Sequence, residues 1–152
     1  MTIRVICLGN ELVGDDGVGI RVGRILADMD FCADVSVDFH MGAIFDVLEF
    51  VNRNDRLIFV DALQSDRPPG TVTLMDFSAI AKLPPMPHSI HAVGLEDVLS
   101  VAARLYPEKL PTEIAIVGIE TASCDRFCNK LSQPVQDAIP TAITIIKELL
   151  NA

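Results

Sequence analysis

Positive charge is scarce in this sequence: 12 lysines and arginines stand against 21 aspartates and glutamates, a net charge of −9 with a pI near 4.6. Such a surface repels phosphate backbones, which argues against nucleic acid as a partner and favours cations or basic peptides. Long apolar runs are missing as well. Half of the residues are hydrophobic, yet no stretch approaches a membrane span, so a soluble globular chain with no membrane partner is expected. The opening "MTIRVICLGN" lacks the basic flank, apolar core and cleavage site of a secretory signal, and the expected location is therefore cytoplasmic. Cysteine is too sparse for a disulfide framework: Cys7, Cys32, Cys124 and Cys128 are scattered, and reduced thiols follow. Cys124 and Cys128 have C-x3-C spacing, but no CxxC pair or neighbouring histidine supports a metal site there. No repeat, low-complexity tract or linker interrupts the 152 residues, which read as one domain, 1–152.

Several catalytic signatures are absent too. There is no G-x-S-x-G elbow, and no cysteine lies beside a histidine, so covalent catalysis has no visible candidate. The stretch "GNELVGDDGVG", Gly9 to Gly19, is glycine-rich but lacks the Lys and Ser/Thr of a P-loop and does not match the dinucleotide fingerprint. Its two adjacent aspartates would also repel a pyrophosphate. Gly9, Gly14, Gly17 and Gly19 are expected instead to let a substrate backbone approach.

What is present is alternation. "IRVICLG", "DVSVDF", "RLIFVDAL", "TVTLMDF" and "EIAIVGI" read as strands. Helical spacing links Val18, Val22, Ile25, Leu26 and Met29, then Ile44, Val47, Leu48 and Val51, then Leu95, Val98, Leu99, Ala102 and Leu105. A last helix spans about Ser132 to Leu150, with Val135, Ile139, Ala142, Ile146 and Leu149 inward and a kink expected at Pro140. The connector "QSDRPPG" is too short for a helical crossover, so the fourth strand should run antiparallel. The fold class is α/β: a three-layer α/β/α sandwich on a twisted, mostly parallel five-stranded sheet with one antiparallel strand.

In such a sheet ligands collect beyond the carboxyl ends of the parallel strands. Asp15 and Asp16 follow the first strand, Asp61 stands near the end of the third, and the loop before the third helix should bring His91 to the same edge. His40 and Gly42, after the second strand, arrive there as well. Carboxylates and imidazoles together suit a borderline divalent metal such as zinc or nickel. Simpler roles compete: one aspartate capping the first helix and the other complementing its dipole, Asp61 bonded to backbone amides, and His91 or its neighbour His88 as a surface histidine.

The segments "CLGNELVGDDGVGIRV", "LIFVDAL" and "HSIHAVGLEDVL", with the turn Pro68, Pro69, Gly70 and the strand end Val117 to Glu120, resemble the maturation endopeptidases of nickel–iron hydrogenases over nearly the whole chain. The resemblance implies an α/β/α sandwich and an endopeptidase that removes a C-terminal extension from the hydrogenase large-subunit precursor once nickel is inserted. It implies that Asp16, Asp61 and His91 are the catalytic and metal-contacting residues, and it gives His88 no counterpart; for the cleavage itself two routes stay open, a metal that polarises the carbonyl and activates a water with Asp15 as a candidate base, or a metal that only reports substrate readiness while carboxylates activate water directly. The nickel would be carried by the substrate, with no tightly bound cofactor of the enzyme's own, and the partner would be the nickel-loaded precursor. The chain departs from many members after the second strand, where "DFHMG", Asp38 to Gly42, replaces a Gly-Gly-Thr-x-Gly loop; this favours a reshaped pocket over a metal contact from His40. Two other readings fit the residues alone: a module that binds the metal-loaded subunit without cutting, and a small-molecule metal hydrolase on a similar sheet.

Overall fold

The computed structural model describes residues 1–41, 44–77, 94–122 and 127–152. Five strands, β1 (Ile3–Leu8), β2 (Val35–His40), β3 (Arg56–Leu63), β4 (Val72–Asp76) and β5 (Glu113–Glu120), form one sheet in the order β2-β1-β3-β5-β4. The first three and β5 are parallel, and β4 pairs antiparallel with β5, as the short connector requires. Helices α1 (Val18–Ala27), α2 (Leu95–Leu105) and α3 (Gln133–Asn151) complete the α/β/α arrangement.

The central strands are apolar without alternation because both of their faces are covered. Val5, Cys7, Ile58, Val60, Val117 and Ile119 point to one face, where Val22 and Leu26 of α1 and Ile139, Ala142 and Ile146 of α3 meet them. Their neighbours Ile6, Leu8, Leu57, Phe59 and Ile116 point to the other, against Val47, Val51 and Leu95, Leu99 and Ala102 of α2. Every one of these side chains is buried. Transfer of each larger one from water contributes about 1.5–3 kcal/mol before the cost of ordering the chain.

Two details differ from the sequence reading. The helix expected around Ile44 to Val51 is a 3-10 segment, Ile44–Glu49, that buries Val47 and leaves Phe45 exposed, as is Phe50 just beyond it. A six-residue stretch with Phe45 on its outer side gains too little from one buried seam to extend into a full α-helix. Leu105 is exposed at the last turn of α2, and Ile25 is also exposed, so each apolar stripe is narrower than the spacing suggested. Helix α3 includes Pro140, on its exposed side. Gly42, Cys124, His88 and His91 lie outside the described residues.

Candidate active site at the sheet switch point

Strand β1 has β2 on one side and β3 on the other, so the chain reverses its direction of travel between β1 and β3, and their carboxyl ends frame a crevice. Asp61 sits on β3 one residue beyond Val60, which is level with Cys7 of β1. Asp16 belongs to a 3-10 turn, Gly14–Gly17, that follows β1 and leads into α1. This turn folds back sharply. Asn10 donates its N–H to Asp16 Oδ2 at 2.9 Å and faces the Asp16 carbonyl at 3.3 Å.

The glycines allow the fold-back. Gly9 has φ of 134°, and a Cβ there would lie 2.0 Å from the Asp16 carbonyl oxygen. A Cβ on Gly19 would lie 2.3 Å from the carbonyl oxygen of Leu8 and 2.6 Å from that of Val60, so the start of α1 rests directly on the backbones of β1 and β3. These positions admit the protein's own chain, which corrects the expectation that the glycines open space for a substrate. Gly19→Ala should cost stability at the upper end of the ~1–3 kcal/mol typical of overpacking, since rigid backbone is the obstacle. Denaturant unfolding measures it, and a midpoint unchanged from wild type would contradict the packing argument.

The two carboxylates feel each other. Asp61 is only partly covered as a residue, but its carboxyl is surrounded by enough protein that burial pushes it from 3.8 up to about 7. The Ala62 N–H, at 2.8 Å from Oδ1, opposes the rise, and the charge of Asp16 adds to it. Among the described residues neither Asp16 nor Asp61 has an ion-pair partner, and no group of three His, Cys, Asp or Glu side chains comes together as a ligand set. The pair can therefore offer a cation two oxygen ligands, and any further ligand has to come from elsewhere.

Asp15 is placed differently from its neighbour. It is buried, and its oxygens accept from Ser132 N at 2.6 Å, Ser132 Oγ at 2.8 Å and Ala122 N at 2.9 Å. A carboxylate so engaged is ill suited to the role of base. His40 ends β2 level with Leu8, and its ring faces Phe50 at 6.5 Å. Cys7 is fully buried, and burial, with a smaller effect from Asp38, pushes its thiol up to about 12, so it is no nucleophile.

Sequence reasoning gave no site role to two residues at this edge. Glu120, at the end of β5, is buried and accepts from Ser65 N and Oγ at 2.6 and 2.7 Å, which holds the loop after β3 against the sheet. Ser132 is the partner of Asp15 from 117 positions away. The first could have been suspected from a charged residue closing an apolar strand; nothing local marks the second.

An open α/β sheet with a carboxylate pair at its switch point is thus the frame into which any relatives must fit. The model of the hydrogenase maturation proteases matches residues 42–149, and the chain belongs to that family. It is a peptidase. It is similar to the hydrogenase expression/formation protein HupD of Rhizobium leguminosarum bv. viciae, 29% identical over 155 aligned residues that cover 99% of this chain and 74% of the relative. Among solved structures it is similar to the hydrogenase maturating endopeptidase HybD from E. coli, with a TM-score of 0.84 and 28% identity over 99% of this chain and 93% of that one. The [NiFe] hydrogenase maturation protease HybD from Thermococcus kodakarensis superposes with a TM-score of 0.74 and 30% identity over 99% of both chains.

Proposed function

We propose that this peptidase removes the C-terminal extension of a [NiFe] hydrogenase large-subunit precursor and that it recognises nickel already seated in that substrate. The observation that carries the reading is the carboxylate pair, Asp16 and Asp61, held together at the switch point of a maturation-protease fold with no cation of the chain between them among the described residues. Two like charges brought together at a partly desolvated site raise each other's cost, and a cation arriving with the substrate relieves it.

In this reading Asp16 and Asp61 contact the nickel from the enzyme side, with His91 as the third contact. The metal, a Lewis acid, polarises the scissile carbonyl, and water adds to the carbonyl carbon. The C–N bond breaks, and the leaving amine takes a proton. The proton that water gives up passes to that amine, which balances the step; Asp15, its oxygens engaged by Ser132 and Ala122, is ill suited to carry it, and Asp61 acts in its ionised form as a metal contact. The surplus of acidic groups favours a basic segment of the precursor, and the expected compartment is the cytoplasm. No helix among the described residues is long and apolar enough to cross a membrane.

The histidine assignment is tested by substitution. His91→Ala is expected to lower cleavage of a nickel-loaded precursor by about 10²-fold or more, as loss of a group that stabilises developing charge does, and His88→Ala to leave it within about twofold. The reverse pattern would assign the contact to His88.

A further inference from the structure

We propose that Asp15 is a positioning residue for the cleavage, fixing the turn that presents Asp16 by binding the amino end of α3 and the segment after β5. The inference rests on the function proposed above and deepens it. Asp15 and Asp16 are consecutive in a four-residue 3-10 turn, but their surroundings are opposite in kind. Asp16 is partly open at the sheet edge, whereas Asp15 is 1% exposed.

Burying a carboxylate is costly unless it is well bonded, and Asp15 is: both oxygens accept from Ser132, and Oδ2 also accepts from Ala122 N. Ser132 immediately precedes α3 and makes no side-chain cap to its own helix; it gives its hydroxyl to Asp15 instead. The carboxylate thereby stands at the positive end of a 19-residue helix, where the dipole favours a negative charge.

Attachment of the turn does not depend on this carboxylate alone. Gly14 N–H donates to the Cys128 carbonyl at 2.7 Å, and Cys128 N–H donates to the Leu12 carbonyl at 2.9 Å, so the turn is also joined backbone to backbone to the stretch that leads into α3. What Asp15 adds is a fixed point one residue from Asp16, locking the rotation of the turn about those backbone bonds. A displacement of about 1 Å at a reacting group can cost 10²-fold in rate, so the precision of that lock bears on turnover more than on attachment.

The test uses the full chain and a nickel-loaded large-subunit precursor, with single-turnover cleavage measured well below each variant's Tm and expressed per folded molecule. Asp15→Asn should lower the rate by about 30-fold or more and Ser132→Ala by about 3- to 10-fold, each with KM within about twofold of wild type. Ser132→Thr, which keeps a hydroxyl, should restore most of the rate. Should Asp15→Asn not fold, the Ser132 pair decides alone. Variants that cleave like wild type once folded would show Asp15 to be a fold anchor only and overturn the inference. A wild-type protein that leaves the loaded precursor intact would overturn the parent reading, and this inference with it.

Discussion

Asp61→Asn is expected to yield a protein that is more stable than wild type above neutral pH and no longer cleaves. Burial, offset in part by the Ala62 N–H and reinforced by Asp16, holds the Asp61 carboxyl near 7 against an ordinary value of 3.8. Between those two values the native state binds more protons than the unfolded state, so the stability of the wild type falls as pH rises from about 4 to about 7. A shift of this size corresponds to about 4 kcal/mol at face value, and the partial exposure of Asp61 reduces it to about 1–2 kcal/mol. Asparagine carries no charge and can still accept from Ala62 N. The gain in Tm should therefore be present at pH 8 and vanish by pH 4; a gain equal at both would show that the carboxylate is not the cause. The same titration should appear in catalysis. In the wild type, kcat/KM should fall about tenfold per unit as pH drops below about 7, because the ionised group is the one that meets a cation. This is the conflict expected where a site is kept ready for a substrate at the expense of the fold.

Asp16→Asn should separate function from stability just as clearly, with a smaller gain at high pH. Its carbonyl oxygen can still accept from Asn10 N, so the turn should lose no more than about 1 kcal/mol. Cleavage of the loaded precursor should fall by about 10²–10³-fold, since the lost charge faces the metal. Removing that charge also takes away one of the causes that raise Asp61. The stability of Asp16→Asn should then vary less with pH than that of wild type, which chemical denaturation at pH 5 and pH 8 would show. An unaltered pH dependence would mean that the two carboxylates are not coupled.

Much of this architecture could be read along the chain because it depends on neighbours in sequence. The apolar runs in β1 and β3 announce strands covered on both faces, and the short "QSDRPPG" connector forces the direction of β4. Placing Asp16 and Asp61 at one edge needed only the rule for parallel strands. What escaped depends on distance or shape. The spacing of Ile44, Val47, Leu48 and Val51 satisfies a helix, yet the exposed Phe45 leaves it a 3-10 segment. The glycines of Gly9 to Gly19 were visible as a group, but whether they accommodate a ligand or the chain itself is decided by carbonyls of Leu8, Asp16 and Val60. The division of labour between Asp15 and Asp16 is set by Ala122 and Ser132, 107 and 117 positions away, and adjacent aspartates look alike until those contacts are known.

The central claim is that the carboxylate pair reads nickel in the substrate before the chain is cut. The most direct test incubates the purified protein with a matched large-subunit precursor, once nickel-loaded and once nickel-free, and follows precursor mass. Loss of the C-terminal extension from the loaded form alone is the expected result. Equal trimming of both forms, or an intact precursor in both, would contradict the claim.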